Sequence, residues 1–199
     1  MCYYRSIKNK LFGGAMFTEF CTDRLILKVL DPNWAPEVLD FYVNNKEFFE
    51  PWEPDRDKLF YTVDYQGKML YYDYLAYEKG TQIRFYIFLK NNPREPIGTI
   101  SFHNIVHGIF QSCTLGYKID HNYARNGYCL EAVQYACMLI FTKFKLHRIE
   151  ALIHTKNLPS LSFIEKAGFK REGVRASYAK LNGSWHDHAC YSLITPYPD

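Results

Sequence analysis

Three strand-like stretches, residues 83–90, 97–106 and 112–120, follow one another with connectors too short to hold a helix. Asn91-Asn-Pro-Arg-Glu-Pro96 parts the first pair and a turn at Gly108 the second, so neighbouring stretches are expected to pair antiparallel. A meander at the centre of a chain leaves two faces that the flanking segments have to cover. Residues 24–30, Arg-Leu-Ile-Leu-Lys-Val-Leu, closed by Asp31-Pro32, read as a first strand ending in a turn. Residues 34–45 carry Val38, Leu39, Tyr42 and Val43 at helical spacing, with Pro36 tolerable in the first turn. Pro51-Trp-Glu-Pro54 cannot continue that helix and forms a stiff loop. A Tyr-rich helical segment then runs from about 58 to 79 and stops at Gly80, a C-cap.

Beyond the meander, residues 127–145 place Leu130, Val133, Ala136, Cys137, Ile140, Phe141 and Phe144 on one helical face, and this is expected to be the longest helix. A strand at 147–154, a helix at 160–167 stopped by Gly168, and two closing strands near 169–180 and 185–193 complete the chain, with Asn182-Gly183 as a hairpin turn. This order describes an α/β (α+β) domain, a mixed sheet with helices on its faces.

The 199 residues suit one domain, read as 21–199, preceded by an N-terminal tail or extension at 1–20 in which Met16 is an alternative start. Hydrophobic residues make up 48%, yet no apolar run approaches the roughly 20 residues of a membrane span, so no membrane association is expected. The net charge of +3 arises from 24 basic and 21 acidic residues that are intermixed, without the Lys/Arg blocks of a nucleic-acid arm; direct nucleic-acid binding is not expected. Six scattered cysteines, with no CxxC pair and no secretory leader, fit a reduced, cytoplasmic setting.

Two junctions can carry chemistry. His121-Asn-Tyr-Ala-Arg-Asn-Gly-Tyr-Cys129 leads from a strand into a helix whose first N–H groups lack partners, a place for an anion such as pyrophosphate. Gly127 lets backbone approach phosphate and Arg125 adds charge, although an ordinary helix start would look the same. Asn157-Leu-Pro-Ser160 precedes the next helix, where Asn157 or Ser160 would serve as a cap in the blander reading. His103, His107, His186 and His188 lack cysteine or carboxylate partners at ligand spacing, so no metal is expected. His188 reads as strand pairing or part of a peptide groove, and His103 and Asn104 as residues facing a slot.

Taken together, the loop before Gly127-Tyr-Cys-Leu-Glu-Ala-Val133, Asn157-x-x-Ser160, and Glu165-Lys-Ala-Gly-Phe169 with Glu172-Gly173 resemble the GNAT acetyltransferase superfamily. Asp23-Arg-Leu-Ile-Leu27, Pro51-Trp-Glu-Pro54, Leu115-Gly-Tyr117, His147-Arg-Ile149 and Gly183-Ser-Trp-His-Asp-His188 resemble its Rim-type ribosomal-protein N-terminal-alanine acetyltransferases. The resemblance covers about residues 23–196. It implies a single GNAT-like domain, a mixed and mostly antiparallel sheet whose strand at 112–120 splays from that at 147–154, with helices on both faces.

The implied activity is transfer of acetyl from acetyl-CoA to an amine by direct attack on the thioester. The implied acceptor is the N-terminal amine of a protein, with a ribosomal protein as one candidate. Lys118 and Ile119 would pair with the pantetheine arm through their backbone. The N–H groups of Arg125, Asn126, Gly127, Tyr128, Cys129 and Leu130 would hold the pyrophosphate, and Asn157 would touch the cofactor. Ser160 would protonate the leaving thiolate, whereas Ile164 stands where many relatives have tyrosine. Glu53 is the candidate base, acting through water, because Leu152 offers no carboxylate. The chain departs from the family pattern at Ala124, Arg125 and Cys129, where a polar residue, a frequent glycine and a small residue are expected. A small-molecule amine acetyltransferase is the rival reading, and a noncatalytic acyl-CoA-binding or ribosome-associated protein is the alternative of another class. Monomer and homodimer are both compatible with the resemblance.

Overall fold

The computed structural model describes residues 6–9 and 14–196, with side chains described from residue 17 onward. A two-stranded antiparallel ribbon, β1 (Ser6–Asn9) and β2 (Gly14–Phe17), precedes the main body. Eight further strands make one sheet: β3 (Glu19–Cys21), β4 (Leu25–Lys28), β5 (Ile83–Leu89), β6 (Asn92–Val106), β7 (Ser112–Ile119), β8 (Arg148–His154), β9 (Lys170–Leu181) and β10 (Ser184–Ile194). Their spatial order is β3-β4-β5-β6-β7-β8-β10-β9, and all pairings are antiparallel except β7 with β8. β3 lies across the expected boundary at residue 20, so the sheet begins within the stretch read as a tail.

The helices are α1 (Ala35–Asn44), α2 (Lys46–Phe49), α3 (Val63–Lys79), α4 (Tyr128–Thr142) and α5 (Leu158–Lys166). Alternation along β5 shows how the layers assemble. Phe85 and Ile87 point to one face and join Val133, Ala136 and Ile140 of α4 and Ile164 of α5; Tyr86 and Phe88 point to the other and join Val38 and Phe41 of α1 and Leu70 of α3. All of these are buried. Burying a side chain of this size stabilises by about 2 kcal/mol, so two full layers explain why the sheet is covered on both faces.

Two expectations are corrected. The longest helix is α3 with 17 residues rather than α4 with 15: its Thr62 cap and left-handed Gly80 stop hold it at both ends, whereas α4 ends before Lys145, which itself has φ +56. β6 starts at Asn92, before Pro96, because the ladder to β5 shifts register there and so tolerates residues that cannot donate. The Asn182-Gly183 turn has positive φ at both residues, 48° and 79°, as the sequence pair predicts.

Candidate active site

β7 and β8 pair only from Ser112–Arg148 to Leu115–Ala151, and then diverge. Each keeps its outer partner: Gly98–Ser101 of β6 holds β7, and His188–Cys190 of β10 holds β8. The backbone from Gly116 to Ile119 therefore faces an opening that has no strand opposite. Ser160, Glu53, Lys118, Ile119, Arg125, Gly127, Cys129, Leu130 and Asn157 all line one cavity of about 1530 Å³ that passes through this opening. Single-ligand pockets usually measure about 300–1000 Å³, so the space suits two substrates meeting across the sheet.

On the α4 side, the first closed intrahelical bond runs from the Glu131 N–H to the Gly127 carbonyl at 3.0 Å, leaving the Tyr128, Cys129 and Leu130 N–H groups ahead of it. Gly127 has φ +78 and Arg125 φ +63, which gives the loop its inward curl. The curl is braced from outside. Arg24 donates through Nε to Glu131 Oε2 at 2.6 Å and through Nη1 to the Asn126 carbonyl at 3.2 Å, and its guanidinium lies 4.6 Å from the Tyr128 ring centre. Glu131 also accepts from Thr22 Oγ1 and the Arg24 N–H; burial raises its pKa, but these hydrogen bonds and the guanidinium outweigh that and hold it low. Tyr128 and Asn126 thus build the outer wall of the loop, and their side chains are not among those lining the cavity. At the other end, buried Asn45 accepts from the His121 N–H at 2.9 Å and donates to Asp120 Oδ2 at 2.7 Å, tying α1 to the start of the loop. A donor set made of curled backbone N–H groups at a helix start suits a phosphate-bearing ligand. Burial pushes the Cys129 thiol up to about 12.

Asn157 caps α5, its Oδ1 accepting from the Ser160 N–H at 3.2 Å. Ser160 Oγ lies 2.6 Å from the Tyr117 hydroxyl, which also lies 3.2 Å from the Ser160 carbonyl. Either hydroxyl can donate across the shorter contact, and when Tyr117 donates to Ser160 Oγ the Ser160 proton is left free for a group in the opening. Burial raises the Tyr117 pKa well above the ordinary phenol range, with the Ser160 bond opposing it. The pair is a neutral donor chain beside the opening.

On the α1 and α3 side, Glu53 accepts from Lys118 Nζ through Oε1 and from Arg56 Nε at 3.0 Å through Oε2. Burial raises its pKa, but the two cations outweigh that and depress it, so both oxygens are engaged and the carboxylate is a poor proton acceptor. Its geometry is that of an anchor holding the loop after α2 onto β7. Arg56 stacks 3.8 Å from the Phe60 ring centre, and Lys118 sits 5.2 Å from that of Tyr42. Deeper in, Arg84 donates to Asp73 at 2.8 Å. His103 and Asn104 line the same cavity, as expected from their strand position. Trp52 crosses to β8 and meets the His154 ring at 5.6 Å between centres.

Residues 24–170 match the family model described as "Acetyltransferase (GNAT) domain". The chain belongs to this acetyltransferase family. This GNAT enzyme is 31% identical over 176 residues to the [Ribosomal protein uS5]-alanine N-acetyltransferase of Escherichia coli (strain K12), covering 88% of this chain and 90% of the relative. Among solved structures, the ribosomal-protein-S5-alanine acetyltransferase of Vibrio fischeri superposes with a TM-score of 0.84 at 27% identity, over 89% of this chain and 97% of that one. RimJ of Mycobacterium smegmatis, solved with a CoA-disulfide, gives 0.80 at 25% identity, over 85% and 81%. The enzyme is an acetyl-CoA-dependent N-acetyltransferase, and the splayed pair and flanking helices that the sequence resemblance implied are present. Among the described residues no group of three or more His, Cys, Asp or Glu is placed to hold a metal ion, and no helix is long and apolar enough to cross a membrane. Cys113, Cys129, Cys137 and Cys190 are free thiols.

The sequence did not single out Tyr117 as a partner of Ser160, Asn45 as an anchor, or the Arg24–Glu131 brace. Their roles depend on contacts 43, 75 and 107 residues apart in sequence, which leave no local periodic signal.

Proposed function

We propose that this acetyltransferase modifies the N-terminal amine of a protein, with a ribosomal protein as the first acceptor to test. The observation that carries the reading is the wide cavity, floored by β6 and β7 and lined by Trp52, Glu53 and Arg56 on the α1 and α3 side, which leaves room for a peptide behind its terminal amine. The uS5-alanine enzyme named above supports the same acceptor class.

In this reading the N–H groups of Arg125 to Leu130 take the pyrophosphate, the Lys118 and Ile119 backbone takes the pantetheine arm, and Asn157 holds the start of α5 against it. Acetyl-CoA supplies an activated acyl group in a thioester whose sulfur leaves readily. Ser160, backed by Tyr117, presents a hydroxyl proton to the sulfur. Glu53, expected from sequence as the base, instead fixes Lys118 and Arg56 and shapes the acceptor entrance. An N-terminal amine, with an ordinary pKa of about 7.7–8.0, is substantially neutral near physiological pH, which lowers the demand on any base. Release of CoA thiol should be fast with peptides beginning in alanine or serine and slow with a panel of polyamines, amino acids and aminoglycosides. The reverse ranking would reassign the enzyme to small amines, and CoA binding without turnover would point to a noncatalytic role.

A further inference from the structure

Four histidines line the cavity: His103, His121, His154 and His188. They differ in which ring nitrogen is free. His154 Nδ1 lies 3.0 Å from the Lys156 N–H and must accept from it, so the neutral ring carries its proton on Nε2 and has no lone pair to spare. His121 Nδ1 donates to Asn45 Oδ1 at 2.8 Å, so its Nε2 keeps a lone pair, but this ring is 46% exposed beside Phe48, on the loop after β7 rather than on the β8–β10 arm. His103 stands on β6 beside Gly116, and burial together with the nearby Arg84 cation disfavours its protonated form, so a proton gained there would sit against a fixed positive charge. His188 combines a free Nε2 with burial. Its Nδ1 lies 3.0 Å from the His186 carbonyl, which can only accept; the proton is therefore on Nδ1 and Nε2 keeps its lone pair. The same bond strengthens when the ring becomes positive.

His188 is buried and stands opposite His154 in the β8–β10 register, on the arm of the sheet that diverges from β7. The groups facing it are His154 from β8, at 5.6 Å between ring centres, Tyr178 from β9, at 5.4 Å, and His186 on its own strand. Arg175 is its register partner on β9 but is turned to Glu150, at 3.3 Å. We propose that His188 Nε2 is the proton acceptor for the attacking amine, directly or through one water. The proposal rests on the amine-acetylation reading above. The amine nitrogen bonds to the thioester carbonyl carbon as the C–S bond breaks; the electron pair leaves with sulfur, and the excess proton on nitrogen passes to His188. The CoA thiolate takes a proton from the Ser160–Tyr117 chain, which His188 makes good through solvent, so that only the acetyl group has changed hands.

The test compares His188→Gln and His188→Asn with wild type, using whichever acceptor wild type acetylates fastest. Asparagine retains a donor near the position of Nδ1 and so preserves the bond to the His186 carbonyl, but it cannot act from the position of Nε2. Both variants are expected to lose about 10²-fold in kcat, to leave the KM for acetyl-CoA within a factor of two or so, and to lose the acid limb of the kcat/KM profile. His154→Gln should keep that limb. Wild-type kcat and an unaltered acid limb in His188→Asn, with loss only in His188→Gln, would assign the ring a purely structural role and overturn the proposal. Absence of wild-type turnover on every amine would instead remove the functional reading, and this proposal with it.

Discussion

At the scale of single residues, positive φ marks where the loop before α4 bears a cost. Arg125 at φ +63 sits where a side chain costs about 1 kcal/mol. Arg125→Gly should therefore unfold at equal or slightly higher denaturant concentration, while its Kd for CoA, read by calorimetry, rises a few-fold through loss of the cation. Gly127→Ala should fail on both counts, because φ +78 disfavours any side chain and the new Cβ would lie 3.3 Å from Arg24 Nη2, in the brace itself. Glu53→Gln separates an anchor from a base: with two cations left unbalanced, the expected change is a rise in acceptor KM and a stability loss of about 2 kcal/mol, with the acid limb of the rate profile intact. Disappearance of that limb would restore Glu53 as the base. Ser160→Ala should lower kcat about 10- to 100-fold without altering CoA affinity.

At the scale of elements, β6 and β7 approach closely where the cavity floor forms. A Cβ on Gly98 would lie 2.7 Å from the Lys118 carbonyl, a backbone atom that cannot swing aside. Gly98→Ala is expected to cost about 2 kcal/mol in urea unfolding and to weaken CoA binding, since the displaced segment borders the opening. The elements themselves were legible: α1, α3, β5, β7, β8 and the closing hairpin all fall within a few residues of where periodicity and turn residues place them. β3 escaped notice because three residues, Glu19–Cys21, are too few to show alternation. The candidate site was legible through its two loop motifs, where backbone conformation depends on local residues such as Gly127 and Asn157. Its acceptor side was not, since Trp52, Glu53, His154 and His188 meet only after the sheet has assembled, and nothing in their spacing announces which lone pair is free.

At the scale of the whole molecule, acid stability should follow a few paired carboxylates. Glu172 accepts from both terminal nitrogens of Arg148 and from Ser192, joining β8, β9 and β10, and its pKa falls from the ordinary 4.5 to about 2, chiefly through the Arg148 and Ser192 hydrogen bonds. A depressed carboxylate contributes stability that is whole above the ordinary value and lost as pH falls toward the folded one. Because its side chain is 44% exposed, screening limits the effect. Glu172→Gln should cost about 0.5–1 kcal/mol at pH 7, and the gap from wild type should close between pH 4.5 and 2.

The sheet is also stitched unevenly, since four residue pairs, Ser112–Arg148 to Leu115–Ala151, are all that join its five-strand and three-strand parts through β7 and β8. A seam that short is where the molecule should breathe. In deuterium exchange, amides of Gly116–Ile119 that point into the opening should label early in free protein and slow when CoA occupies it, as though the ligand were a missing strand. The co-substrate would then act as mortar as well as reagent, and the melting temperature should rise with CoA by an amount that tracks its occupancy.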